Sequence, residues 1–271
     1  MQLLVSVRSA AEVDLALAGG ADIIDAKEPD RGSLGPVSAI RLAEILMRVP
    51  SSRTFSVALG DVALDTEVVA AITSLGLPSR PAPTFLKLGF AGVRSPDIVK
   101  GLLSTAIEVA AERRLAPLIV AVAYADADRA GALPPEAICR LAEQAGVAGV
   151  LLDTCVKDGA GLLRWLDPAG LTRWIMDARG AGLLTAVAGA LGLDDVESIR
   201  QADPDILGVR GAVCVGGRRG QISTKRVREL RRLLGHGSGD HLAGTREAGE
   251  TRGRAADAAL ATPAKSLKNN A

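Results

Sequence analysis

The sequence predicts a (β/α)8 barrel on three observations: eight short apolar runs, an amphipathic helical stretch after each, and an alternation so strict that no segment is left for a second domain. At 271 residues the chain suits one such barrel, typically about 250 residues, plus an extension.

The runs read as strands are 2–6 (QLLVS), 22–27 (DIIDAK), 54–59 (TFSVAL), 84–88 (TFLKL), 117–122 (PLIVAV), 149–153 (GVLLD), 183–187 (LLTAV) and 205–209 (DILGV). Each is short and rich in Val, Ile or Leu, as a strand buried on both faces must be. Between them, 9–18, 36–48, 65–75, 95–113, 134–145, 169–181, 194–201 and 223–234 carry apolar residues at helical spacing. An open doubly wound sheet would use the same units. No GxGxxG opens a helix after the first strand, which counts against a dinucleotide fold. The barrel is therefore assigned to 1–235. From 236 the text turns to Gly, small residues and charges, too poor in apolar surface to offset chain entropy. Residues 236–271 are expected to form a disordered or loosely helical tail, with 251–261 its most helix-like part.

Composition narrows the chemistry. A net charge of +1 and six aromatics provide neither a basic face nor a stacking platform for nucleic acid. The first twenty residues hold no long apolar run, so neither a signal peptide nor a membrane span is expected, and the cytoplasm is the expected location. Cys139, Cys155 and Cys214 are odd in number and widely spaced, unlike a disulfide framework or a CxxC metal site. Both histidines, His236 and His241, lie in the tail, which removes histidine-based triads and histidine-ligated zinc from the barrel's options. Of 32 basic residues only seven are lysine, so a lysine kept inside an apolar strand departs from the chain's own habit.

Barrel active sites form at the C-terminal ends of the strands, so polar residues ending apolar strands are the candidates. Asp25 and Lys27 stand two apart, hence on one side of the second strand. Lys87 interrupts FLKLG on the fourth, and Asp153 ends the sixth, with Lys157 four residues on. Alternate strands contribute to one interior layer, so these five residues are expected to converge. Lys–Asp pairs inside a barrel also occur as purely structural ion pairs. Three lysines in one low-dielectric cavity, however, require that some be neutral or that anionic ligands be present. A lysine neutralised by burial and by neighbouring ammonium groups adds to carbonyls, and the resulting imine acidifies an adjacent C–H.

Two Gly-rich segments, AVAGALGLDD after the seventh strand and GVRGAVCVGGRRG after the eighth, occupy the region where barrels often hold phosphate. Gly189, Arg210 and Gly211 are the candidate phosphate contacts. Arg218 and Arg219 read equally well as solvated loop charges.

In LLVSV, GGADIIDAKEPDRGSLG (19–35), FLKLGF (85–90), LLDTCVKDG (151–159) and DILGVRGAVC (205–214), the sequence resembles the (5-formylfuran-3-yl)methyl phosphate synthases of methanofuran biosynthesis, also called 4-(hydroxymethyl)-2-furancarboxaldehyde-phosphate synthases. The blocks span the barrel in order. The resemblance implies a (β/α)8 lyase that joins two molecules of glyceraldehyde 3-phosphate without metal or organic cofactor. It implies that Lys27 is the Schiff-base lysine, that Lys87 is a proton acceptor, and that Asp153 and Lys157 complete the charged site. One departure is Glu28, where the family pattern has Asn. A different Schiff-base aldolase acting on a phosphorylated sugar, or a non-catalytic sugar-phosphate-binding barrel, would share the same residues. A homo-oligomer is expected from general frequency alone.

Overall fold

The computed structural model describes residues 1–78, 81–112 and 117–235. The tail expected from 236, its helix-like part at 251–261 and both histidines lie outside the described residues. Eight parallel strands close into a barrel in sequence order: β1 (Gln2–Val7), β2 (Ile23–Ala26), β3 (Thr54–Asp61), β4 (Thr84–Gly89), β5 (Leu118–Tyr124), β6 (Gly149–Asp153), β7 (Leu184–Val187) and β8 (Ile206–Val209). Closure comes from β8 pairing with β1, Leu4 opposite Gly208. The expected strands agree with these to within two residues at each end. Their two longest shortfalls, at the ends of β3 and β5, matter below.

The helices α1 (Ala10–Gly19), α2 (Ala39–Arg48), α3 (Asp65–Thr73), α4 (Pro96–Glu112), α5 (Ala127–Ala130), α6 (Pro135–Ala145), α7 (Pro168–Gly180), α8 (Val196–Ala202) and α9 (Thr224–Leu234) lie outside the barrel. Local signals set their starts. Helix α2 begins at Ala39, later than the expected 36, because the Ser38 hydroxyl accepts from the Arg41 N–H at 3.3 Å as an N-cap. Helix α7 combines an Asp167 cap, bonded to the Gly170 N–H at 2.6 Å, with Pro168 at its first position. The last helix buries Val227, Leu230 and Leu234 and presents Arg228 and Arg232 outward, while Arg231 lies half-buried 3.6 Å from Asp22. It lies so close to α1 that a Cβ at Gly19 would overlap the Val227 side chain. Glycine there lets the first and last helices seal the ring.

The short α5 and a hairpin of β9 (Cys214–Val215) with β10 (Gln221–Ile222) were not expected from the sequence. The hairpin stands over the C-terminal end of the barrel, and its tip is Gly216, Gly217, Arg218, Arg219 and Gly220. Gly216 and Gly217 have φ of +82° and +76°, which L side chains rarely adopt. No helix among the described residues is long and apolar enough to cross a membrane.

Candidate active site

Side chains alternate along each strand, so Leu4 and Ser6, Asp25, Ser56, Phe85 and Lys87, Val120, Asp153, Ala186 and Gly208 all point to the barrel axis. In most barrels bulky branched residues fill this space. Here Ser6, Ser56, Ala186 and Gly208 leave it partly open. The result is a cavity of about 350 Å³ at the C-terminal end, within the roughly 300–1,000 Å³ typical of small-molecule sites. Phe85, Val120, Leu184 and Ile206 form its apolar floor, and the charged residues form its upper wall.

Asp25, Lys27, Lys87, Asp153 and Lys157 all line this cavity. The two carboxylates divide the lysines between them. Asp25 holds Lys87 Nζ at 2.6 Å and accepts from the Ser6 hydroxyl at 2.8 Å. Asp153 holds Lys157 Nζ at 2.7 Å, and Lys157 also reaches the Thr154 hydroxyl at 3.2 Å. Burial pushes both carboxyls up, but the ammonium groups of Lys87 and Lys27 at Asp25, and of Lys157 and Lys27 at Asp153, outweigh it and hold both below the ordinary value. Asp153 Oδ2 is buried and has no protein partner among the described residues.

Lys27 is left without a carboxylate at ion-pair distance among the described residues. It follows the last residue of β2, and its N–H continues the ladder to the Val7 carbonyl at 3.0 Å. Burial, the largest influence, pulls its ammonium down from 10.5 to about 8; Asp153 and Asp25 draw it up, while Lys87 and Lys157 push it down. About one such amine in ten is neutral at pH 7, against fewer than one in a thousand at the ordinary value. Such an amine is competent to add to a carbonyl.

The surrounding loops are fixed by side chains that the sequence reading did not single out. Asp126 accepts from the N–H groups of Cys155 and Val156 at 2.6 and 2.9 Å, anchoring the loop that carries Lys157. The Cys155 thiol is half-buried and pushed by burial to about 11. On the other side, Ser33 donates to the Tyr124 hydroxyl at 3.1 Å, and Tyr124 donates to Asp61 at 2.6 Å. This chain ties the segment after Lys27 to β5 and β3. Glu28, the departure from the family pattern, turns to its own loop, accepting from the Asp30 N–H at 3.2 Å and lying 3.6 Å from Arg41.

The phosphate candidates separate. Gly189 lines the cavity with φ +105°, and a Cβ there would press on Thr154 and Leu162. Gly211 also lines it, its open side against the Arg218 backbone. Arg210 corrects the expectation made for it. Its guanidinium is buried, bonded twice to Glu12 at 2.8 and 3.1 Å and to the carbonyls of Ser6, Arg218 and Gly220 at 2.9, 2.7 and 3.3 Å. All five donors are engaged, so none remains for a phosphate.

A family profile described as 4-HFC-P synthase matches residues 3–231, which takes in all of the barrel but the first residue of β1 and the last turn of α9, and every charged residue of the cavity. The chain belongs to the 4-HFC-P synthase family. It is 35% identical over 236 residues to the (5-formylfuran-3-yl)methyl phosphate synthase of Methanothermobacter thermautotrophicus, covering 86% of this chain and 99% of that one. The enzyme of the same name from Methanococcus maripaludis is 36% identical, with 85% and 98% covered. Among solved structures, phosphoribosyl anthranilate isomerase from Thermus thermophilus superposes with a TM-score of 0.58 at 14% identity, over 86% of this chain and 98% of that one. A 3-hexulose-6-phosphate synthase gives 0.53 at 16%, over 85% and 99%. At such identities these two establish the barrel alone, whereas both relatives bear the name (5-formylfuran-3-yl)methyl phosphate synthase.

Proposed function

We propose that this chain is a (5-formylfuran-3-yl)methyl phosphate synthase of methanofuran biosynthesis, a lyase that joins two molecules of glyceraldehyde 3-phosphate through a Schiff base on Lys27. The observation that carries the reading is the state of Lys27: buried, lowered to about 8 and, among the described residues, without a carboxylate at ion-pair distance, while Asp25 and Asp153 claim Lys87 and Lys157. Its neutral amine adds to the carbonyl of one triose phosphate, and loss of water gives the imine. The imine withdraws electrons from the neighbouring C–H, whose proton passes to a nearby base. The free oxygen of Asp153 is one candidate base, Lys87 is another once its ammonium has passed a proton to Asp25, and Lys157 is a candidate proton donor to leaving oxygen. Gly189 and Gly211 present backbone N–H groups to phosphate. Two C3 phosphates give the C6 furan aldehyde with one phosphate retained, one phosphate released and two waters lost.

The test uses the purified full chain with glyceraldehyde 3-phosphate. A furan chromophore with equimolar phosphate release is expected, together with borohydride trapping of substrate on Lys27. Trapping without a furan would make the chain a different Schiff-base aldolase. Folded protein that neither traps nor turns over would make it a binding barrel.

A further inference from the structure

The two arginines that reach the cavity from the segment after β8 are in opposite states. Arg210 has every donor bound, as described above. Arg218 is half-buried, lines the cavity, and donates one N–H to the Gly32 carbonyl at 2.5 Å. Its other donors meet no protein acceptor, and no carboxylate lies at ion-pair distance, among the described residues. After burial, the strongest influence on its guanidinium is the charge of Asp153, so the head group belongs electrostatically to the cavity.

Arg218 is also held in place. Arg210 grips its carbonyl at 2.7 Å, and Gly211 lies behind its backbone. Lys87 and Lys157 are neutralised by carboxylates, and Lys27 must lose its proton to react. A guanidinium stays charged throughout, and its planar fork matches phosphate oxygens in pairs. Partly burying such a charge without a counter-ion is costly unless a ligand supplies one.

We propose that Arg218 is a specificity-determining residue that binds a phosphoryl group of the substrate, so that the cavity prefers phosphorylated aldehydes to their unphosphorylated counterparts. The identity of that substrate rests on the function proposed above, but the phosphate contact does not. Glu12 is then a positioning residue, acting through Arg210.

The experiment compares the full-length wild type with Arg218→Gln, Arg218→Lys and the exposed control Arg219→Gln. Calorimetry with inorganic phosphate reads the contact without turnover, and borohydride trapping reads glyceraldehyde 3-phosphate against glyceraldehyde. Arg218→Gln is expected to weaken phosphate binding by about tenfold or more, with a matching loss in trapping of the phosphorylated aldehyde. Trapping of glyceraldehyde should stay within about twofold, Arg218→Lys should recover part of the loss, and Arg219→Gln should resemble wild type. Wild type that binds no phosphate, Arg218→Gln that binds it equally well, or equal weakening toward both aldehydes would overturn the proposal. Phosphate binding that depends on Arg218 without any trapping in wild type would uphold it and sink the Schiff-base reading instead.

Discussion

The Asp25 carboxylate reaches across an intervening strand to hold the Lys87 ammonium at 2.6 Å. Asp25 lies on β2 and Lys87 on β4, and the residue of β3 paired with Asp25 is Ser56, small enough to let the contact pass. Both charges are almost wholly buried, so removing one partner leaves the other stranded. Lys87→Met should destabilise the protein by about 3–5 kcal/mol, and Asp25→Asn added to it should restore much of that loss. Urea unfolding of the two single variants and the double variant measures the coupling. Additive losses would show that the pair contributes no mutual stabilisation.

Lys27 links stability to pH in a direction opposite to an ordinary ion pair. Its folded value of about 8 lies below the ordinary 10.5, so between those limits the unfolded chain binds more protons. Stability therefore rises with pH through that window, and the cost of burying the charged amine is present in full below about pH 8. Relative to Lys27→Met, wild type should gain about 3 kcal/mol between pH 7 and pH 10.5. On the Schiff-base reading, the rate of borohydride trapping should climb with pH and level off above about 8. A flat profile would show that the amine is not in this state.

Glu12→Ala would leave the buried Arg210 guanidinium without its carboxylate, at a cost of about 3–5 kcal/mol. The same change loosens the grip on the Arg218 and Gly220 carbonyls, so trypsin should cut the hairpin tip at Arg218 or Arg219 faster than in wild type. Glu12→Gln, which keeps an acceptor, should fall between the two. Thermal melts and timed digests provide the readouts.

A methyl at Gly89 would overlap the Asp61 carboxylate and the Tyr124 hydroxyl. Gly89→Ala should therefore cost about 1–3 kcal/mol by overpacking and break the link from Ser33 through Tyr124 to Asp61. Tyr124→Phe tests the link without the bulk. Burial and the Asp61 charge hold the tyrosine well above its ordinary range, so its hydroxyl stays a donor at working pH. Its loss should cost about 1–3 kcal/mol and speed hydrogen exchange in residues 30–35 more than elsewhere.

What was legible in the sequence follows from the range of the forces involved. The alternation of apolar runs and helical stretches is local, and it placed all eight strands. The rule that polar residues ending apolar strands face the active-site end found Asp25, Lys87 and Asp153. It missed Asp61 and Tyr124 only because the third and fifth strands were ended at 59 and 122, two residues short of where β3 and β5 end. Applied to the true ends, the same rule would have found both. Arg210 failed for a different reason. Its partner Glu12 lies at the other end of the chain and meets it only when β8 closes on β1, so no local pattern separates a braced arginine from an available one. Arg218 and Arg219, alike in sequence, diverge because the hairpin turns one toward the cavity and the other toward Asp30.

Gly208 gives the barrel an adjustable capacity. Its φ is not in the left-handed region, and a methyl there would meet Ala188 and Leu4 at ordinary contact distances, so neither backbone nor packing demands glycine. The position sits on β8, whereas the lysines and acids belong to β2, β4, β6 and the loops that follow β2 and β6. Gly208 and Ala186 thus set part of the chamber's size from strands that carry none of its lysines or acids. A library varied at Gly208 and Ala186 would resize what the chamber admits while leaving the reactive groups in register.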